Sequence, residues 1–211
     1  AKNRALLLQL EAKEKALAAE KERLNKLSAD LKKGIDRVKE LEIIMAAKEA
    51  AMKKLKDALS KSLKAFEGKG LTVNQRDGKV YVSMENKLLF ESGSWAVGPE
   101  GKKAVVLVAS VLAQNPDISV LIEGHTDNDK FAGAVGQIEN NWDLSTKRAT
   151  AIVTILSENK GVKKDNLTAA GRGEFAPLMS NDTPEGKAKN RRIEIILTPK
   201  LDEISKMLNE L

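Results

Sequence analysis

The only histidine of the chain lies in the stretch LIEGHTDNDK (Leu121 to Lys130), where an apolar run gives way to Gly124, His125, Thr126, Asp127 and Asp129. These residue types could ligate a metal, form an acid/base pair, or shape a loop that holds a ligand without transforming it. A zinc site built on one imidazole, with no cysteine in the chain, would need carboxylates or amides at its other positions. Acid/base work by Asp127, Asp129 and His125 is conceivable on spacing alone. No serine/histidine/aspartate arrangement and no glycine-rich phosphate loop accompanies it. No catalytic residue, metal or cofactor is therefore expected, and the protein is read as a non-enzyme.

A recognition loop needs a second half. Asp127 follows the end of an apolar strand, where a loop can aim its carboxylate outward. Arg148 sits in NWDLSTKRA (Asn141 to Ala149), on the helix that should start after the loop. Both can face one pocket, and a guanidinium fork suits a carboxylate through two parallel hydrogen bonds. Plainer roles stand beside this one. Asp127 could cap a turn, and Asn141 or Asp143 could cap the helix. Trp142 and Trp95 read as packing residues, with Trp142 the exception worth watching because it adjoins the proposed pocket.

Two regions with different periods must position these residues. Every seventh residue from Leu10 is apolar: Leu17, Leu24, Leu31, Val38, Met45, Met52, Leu59 and Phe66 follow. The second seam is patchier, with Leu27, Leu41, Leu55, Ile35 and Leu63 filling only some positions. Lys, Glu and Ala surround them, and no proline precedes Pro99. A sustained seven-residue repeat predicts a left-handed coiled coil over residues 1–67, roughly 100 Å long at 1.5 Å per residue, and hence a homo-oligomer. A long amphipathic helix folded back on the remainder is the alternative. The glycines of EGKG (Glu67 to Gly70) should end the helix.

The texture then changes. LTVNQRDGKVYVSM alternates about Asp77-Gly78 as a hairpin does, and KLLF reads as a short strand or its end. Gly98-Pro99 opens a helix, ISVLIEG is a buried strand, and a second helix runs to Gly161. LTAAG and RRIEIILT are further strands, and LDEISKMLNEL (201–211) is a closing helix of the same domain. Together these predict a two-layer α/β (α+β) sandwich with parallel pairing in part of its sheet, preceded by the coiled coil.

A pI near 9.3 and a net charge of +6 suggest nucleic acid. Position argues otherwise. Residues 1–66 hold 17 Lys/Arg against 10 Asp/Glu, whereas residues 67–211 hold 19 against 20. The basic charge belongs to the helix, aromatics are scarce, and no nucleic-acid partner is expected. No run of 18 apolar residues is present. The chain opens AKNRALLL without Met and is read as an excised fragment whose membrane anchor lies outside it.

Four blocks occur in order: GHTDN (Gly124 to Asn128), NWDLSTKRA, LTAAGRGEFAP (Leu167 to Pro177) and NRRIEI (Asn190 to Ile195). Their order resembles the C-terminal OmpA-like domain of the OmpA/MotB family, over about residues 71–200. The resemblance implies non-covalent peptidoglycan binding through the diaminopimelate of the stem peptide, in the periplasm or at the outer membrane of a Gram-negative cell. Carried over by motif, Asp127 takes the ammonium and Arg148 the carboxylate, Thr126 and Asn141 add neutral hydrogen bonds, and Arg192 is the weaker binding candidate. His125, Asn190 and Arg191 support the pocket. The role implied is an envelope tether; the alternative is the cell-wall anchor of a flagellar-type stator subunit. One departure stands out. The thirteen residues between Asp127 and Asn141 exceed the compact family loop, and they suit a lid, a short side-packed helix or a partner contact.

Overall fold

The computed structural model describes residues 2–91, 94–131 and 138–200. It divides into two compact units, Ala1–Ala47 and Lys48–Leu211. Helix α1 (Lys2–Ser62) supplies all that is described of the first unit and the opening of the second. Its Ala, Leu, Lys and Glu content favours helix throughout, and Gly34 does not break it.

The seven-residue stripe behaves differently in the two units. In the first, Leu10, Leu17, Leu24, Leu31, Val38 and Met45 are all exposed, Leu17 by 73%. In the second, Met52 and Leu59 are fully buried and Phe66 nearly so, in one core with Leu71, Val82 and Leu89. The compact unit thus begins inside the helix, ahead of the glycines that the sequence suggested as its boundary. The helix ends at Ser62 and a single 3-10 turn carries Lys64–Phe66. Gly68 and Gly70 follow with φ of 76° and 93°, a left-handed geometry that glycine adopts without steric penalty.

Strands β1 (Leu71–Arg76) and β2 (Lys79–Glu85) form the expected hairpin. Asp77 and Gly78 both have positive φ, as a two-residue turn matched to the strand twist requires. KLLF is not a strand. Asn86–Leu89 is one helical turn, α2, and only Phe90 makes an isolated bridge, to Val97. Four residues with two adjacent leucines carry no period, so the sequence could not separate the two cases. Helix α3 (Pro99–Ala113) opens on Gly98-Pro99, and strand β3 (Ile118–His125) leads to the loop that carries Asp127. Helix α4 (Asn141–Glu158), strand β4 (Leu167–Gly171), helix α5 (Pro184–Asn190) and strand β5 (Arg192–Pro199) complete the order. The closing helix expected over 201–211 lies outside the described residues.

The sheet runs β1-β2-β5-β3-β4. Among the described strands, β3 and β4 alone pair in parallel, across the α4 connection; β5 inserts antiparallel between β2 and β3. Ile193, Ile195 and Leu197 of that central strand face the core beside Ile122 and Val82. Helix α4 lies directly on the backbone of β3 and β4. A Cβ at Gly124 would fall 2.0 Å from the Ser145 carbonyl oxygen, and one at Gly171 would fall 2.1 Å from Thr146 Oγ1. Gly124 and Gly171 are register partners. This glycine pair lets the first turns of α4 settle against the strand ends, which sets where Arg148 projects.

Candidate functional site

Asp127 lies two residues beyond the end of β3 and is only 5% exposed. Its Oδ1 accepts from the Asp129 backbone N–H at 3.2 Å, and its Oδ2 is paired with Arg191 Nη1. Asp129 in turn holds Lys187 Nζ at 2.7 Å. The cap of α4 is neither of the residues suggested by sequence. Asn140 accepts from the N–H groups of Trp142 and Asp143, which leaves the Asn141 side chain free for the loop. Asn141 Nδ2 reaches the carbonyl oxygens of Asp127 (3.4 Å) and Asp129 (3.0 Å) and Glu174 Oε2 (2.8 Å). Asn141 therefore ties three chain segments together. Thr126 donates its N–H to the Gly173 carbonyl, while its buried Oγ1 has no hydrogen-bond partner among the described residues.

Arg148 projects from the second turn of α4 and is 4% exposed. Its Nε donates to the Ser94 carbonyl at 3.0 Å and its guanidinium lies 5.1 Å from the Phe90 ring centroid. Burial, and next the charge of Arg191, lower its pKa to about 10 against the opposing pull of Asp127. It remains cationic at neutral pH. Ser94 and Phe90 lie more than fifty residues upstream, and nothing in their types marked them as partners.

The NRR block separates into three roles. Asn190 is fully buried and knots the preceding loop: its Oδ1 accepts from the N–H groups of Leu178 and Met179, and its Nδ2 donates to the Met179 carbonyl and Asn181 Oδ1. Arg191, just past α5, turns to Asp127. Arg192 is the first residue of β5 and points to the sheet face away from α4. There its Nε donates to Glu194 Oε1 at 2.8 Å, and its η nitrogens donate to the carbonyls of Asn190 and Ala176. The structure thus brings Asp127, Arg148 and Arg191 together and holds Arg192 elsewhere. The sequence reading had Arg192 as the weaker binding candidate and Arg191 as a support of the pocket; in the structure it is Arg191 that pairs with Asp127. Two adjacent arginines look alike in sequence, and only the start of β5 between them decides which faces which way.

His125 is 3% exposed and sits opposite Arg192 in the sheet register. Neither ring nitrogen has a hydrogen-bond partner among the described residues, and Nε2 lies 3.5 Å from Glu123 Oε2. Burial above all, then Arg192, lower its pKa to about 4, so the ring is neutral at pH 7. Glu123, His125 and Glu194 place three ligand-type atoms within 4.8 Å of one another. Glu194 is already engaged by Arg192, and Arg172 and Arg76 each approach a carboxylate of the cluster to 3.9 Å. Guanidinium charge compensates both carboxylates, which disfavours a cation there. Trp142 is half-exposed and stacks on Phe175, ring centroids 5.2 Å apart. Of the long loop, residues 132–137 lie outside the described residues, so neither lid, helix nor partner contact is assigned to them.

Residues 89–191, which include Asp127, Arg148 and Arg191, match the sequence profile of the OmpA family. The chain is 32% identical to "Motility protein B" of Bacillus subtilis over 119 residues, covering 56% of this chain and 45% of that protein. It is 41% identical to "Peptidoglycan-binding protein ArfA" of Mycobacterium tuberculosis over 90 residues, covering 43% and 26%. The chain thus spans about half or less of these relatives' own length. A solved structure of the cell wall anchor of the T6SS from Pseudomonas aeruginosa superposes with a TM-score of 0.59 at 28% identity, covering 67% of this chain and 97% of that one. The matched segment and the mixed sheet agree: residues 89–191 form an OmpA-like domain, with a long helix earlier in the chain.

Proposed function

We propose that the domain binds peptidoglycan without turning it over, gripping the diaminopimelate of a stem peptide, and that the chain anchors an envelope component to the cell wall. The observation that carries this reading is the charge of the site. One nearly buried carboxylate, Asp127, stands with two guanidiniums, Arg148 and Arg191, and the trio has a net charge of +1. Such a site demands an anion, yet offers a carboxylate to a cation. Diaminopimelate in a stem peptide presents both on one carbon: an ammonium for Asp127 and a carboxylate for the arginines. The relative that is named for peptidoglycan binding and the neighbour that is a cell wall anchor support the assignment.

The periplasm is the corresponding compartment. The exposed stripe from Leu10 to Met45 is assigned to self-association. The likeness to a motility protein favours a stator anchor as the second reading. Titration calorimetry of the chain with a diaminopimelate stem tripeptide, against the same peptide carrying lysine, tests the ligand. Lysine keeps an ammonium and lacks the carboxylate, so its binding should be weaker by about tenfold to a hundredfold. Equal affinities would refute the diaminopimelate assignment.

A further inference from the structure

Asp127 is already paired within the chain. Its Oδ2 is taken by Arg191 and its Oδ1 by the Asp129 N–H. A ligand ammonium can reach this carboxylate only by displacing the guanidinium, and that guanidinium then needs a new anion. Arg148 cannot supply one, because it is a second buried cation already opposed by Arg191.

We infer, on the footing of the peptidoglycan reading above, that Arg191 is the specificity-determining residue of this site and that binding is an ion-pair exchange. The ligand ammonium replaces Arg191 on Asp127, and the released Arg191 joins Arg148 around the ligand carboxylate. One pair, Asp127 with Arg191, is broken, and three are made: the ligand ammonium with Asp127, and its carboxylate with Arg191 and Arg148. Arg191 is suited to the move because its side chain is 38% exposed, whereas that of Asp127 is 8% exposed. It also follows directly on α5, whose last residue, Asn190, is locked in place by four hydrogen bonds. The pivot is fixed, and the fork is half-exposed and held by Asp127 alone among the contacts above.

A consequence follows for ligand class. A stem peptide whose diaminopimelate carboxylate is amidated brings an ammonium with no anion. It would displace Arg191 and leave both guanidiniums without a carboxylate partner, Arg148 among them buried. Arg191 thus excludes the amidated form as well as favouring the free acid, which is how specificity is gained by penalising the wrong partner. A site with Arg148 alone lacks that penalty.

Calorimetry with the free-acid and amidated tripeptides, on wild type, Arg191→Ala and Arg191→Lys, tests the exchange. Thermal melts of each variant confirm that it is folded. Wild type should prefer the free acid by at least about tenfold. Arg191→Ala should lose most of that preference, chiefly because the amidated peptide binds more tightly than it does to wild type. Arg191→Lys should keep a preference, reduced because ammonium lacks the bidentate fork. An unchanged preference in Arg191→Ala, with both affinities as in wild type, overturns the inference in favour of Arg148 as sole reader. An equal loss for both peptides overturns it in favour of a merely structural Arg191. If wild type binds neither peptide, the diaminopimelate reading fails first and the inference falls with it.

Discussion

Replacing Leu59 with alanine should unfold the domain more readily than any comparable change in the first 47 residues. Leu59 is fully buried in the core that contains Leu71, Val82 and Leu89. Removing a buried leucine side chain costs about 2–5 kcal/mol, the transfer loss plus the cavity left behind. With a urea m-value of about 2 kcal/mol/M, the midpoint should fall by about 1–2.5 M. Leu24 occupies the same seven-residue stripe but is 56% exposed, and Leu24→Ala should change the domain's stability by no more than about 0.5 kcal/mol. Both tryptophans, Trp95 and Trp142, lie in the second unit, so their fluorescence follows domain unfolding specifically. If the two variants unfold at the same urea concentration, the end of α1 is no part of the core, and the domain begins at the glycines after all.

The protein should also lose stability in acid through His125. Its folded pKa, about 4, lies below the ordinary 6.5, chiefly because the ring is buried. The unfolded chain therefore takes up the proton first, so the contribution is fully present above pH 6.5 and is lost as pH falls towards 4. The full interval corresponds to about 3 kcal/mol. Urea midpoints across this range should drop in wild type and flatten in His125→Gln; parallel curves would count against a neutral buried ring. Self-association should reside in the exposed stripe, so sedimentation should show an oligomer that Leu17→Asp with Leu24→Asp dissociates to monomer. A monomeric wild type would leave that stripe without its assigned partner.

The sequence disclosed most where a backbone requirement and a side-chain chemistry coincide in one short block. GHTD was legible because Asp127 follows a strand end, where a loop can aim a carboxylate; that Gly124 must also admit α4 emerged only from the structure. The α4 block was legible because its apolar period and Arg148 share one helix. What stayed hidden depends on contacts distant in sequence. The insertion of β5 between β2 and β3 leaves no local trace, and it is this strand that turns Arg192 away from Asp127. Phe90 and Ser94 position Arg148 from 58 and 54 residues away, with no shared motif. The division of labour along the seven-residue stripe was equally silent. Met45 and Met52 look alike in the repeat, yet one is exposed and the other is core.

The most direct test of cell-wall binding is co-sedimentation of the chain with purified diaminopimelate-type sacculi, for wild type, Asp127→Asn and Arg148→Ala, each verified as folded. Wild type should pellet with the sacculi. Each variant, having lost one charged partner worth about 1.5–3 kcal/mol, should bind about tenfold to a hundredfold more weakly and remain largely in the supernatant. Wild type that stays soluble, or variants that pellet as fully as wild type, would contradict the assignment of this site to the cell wall.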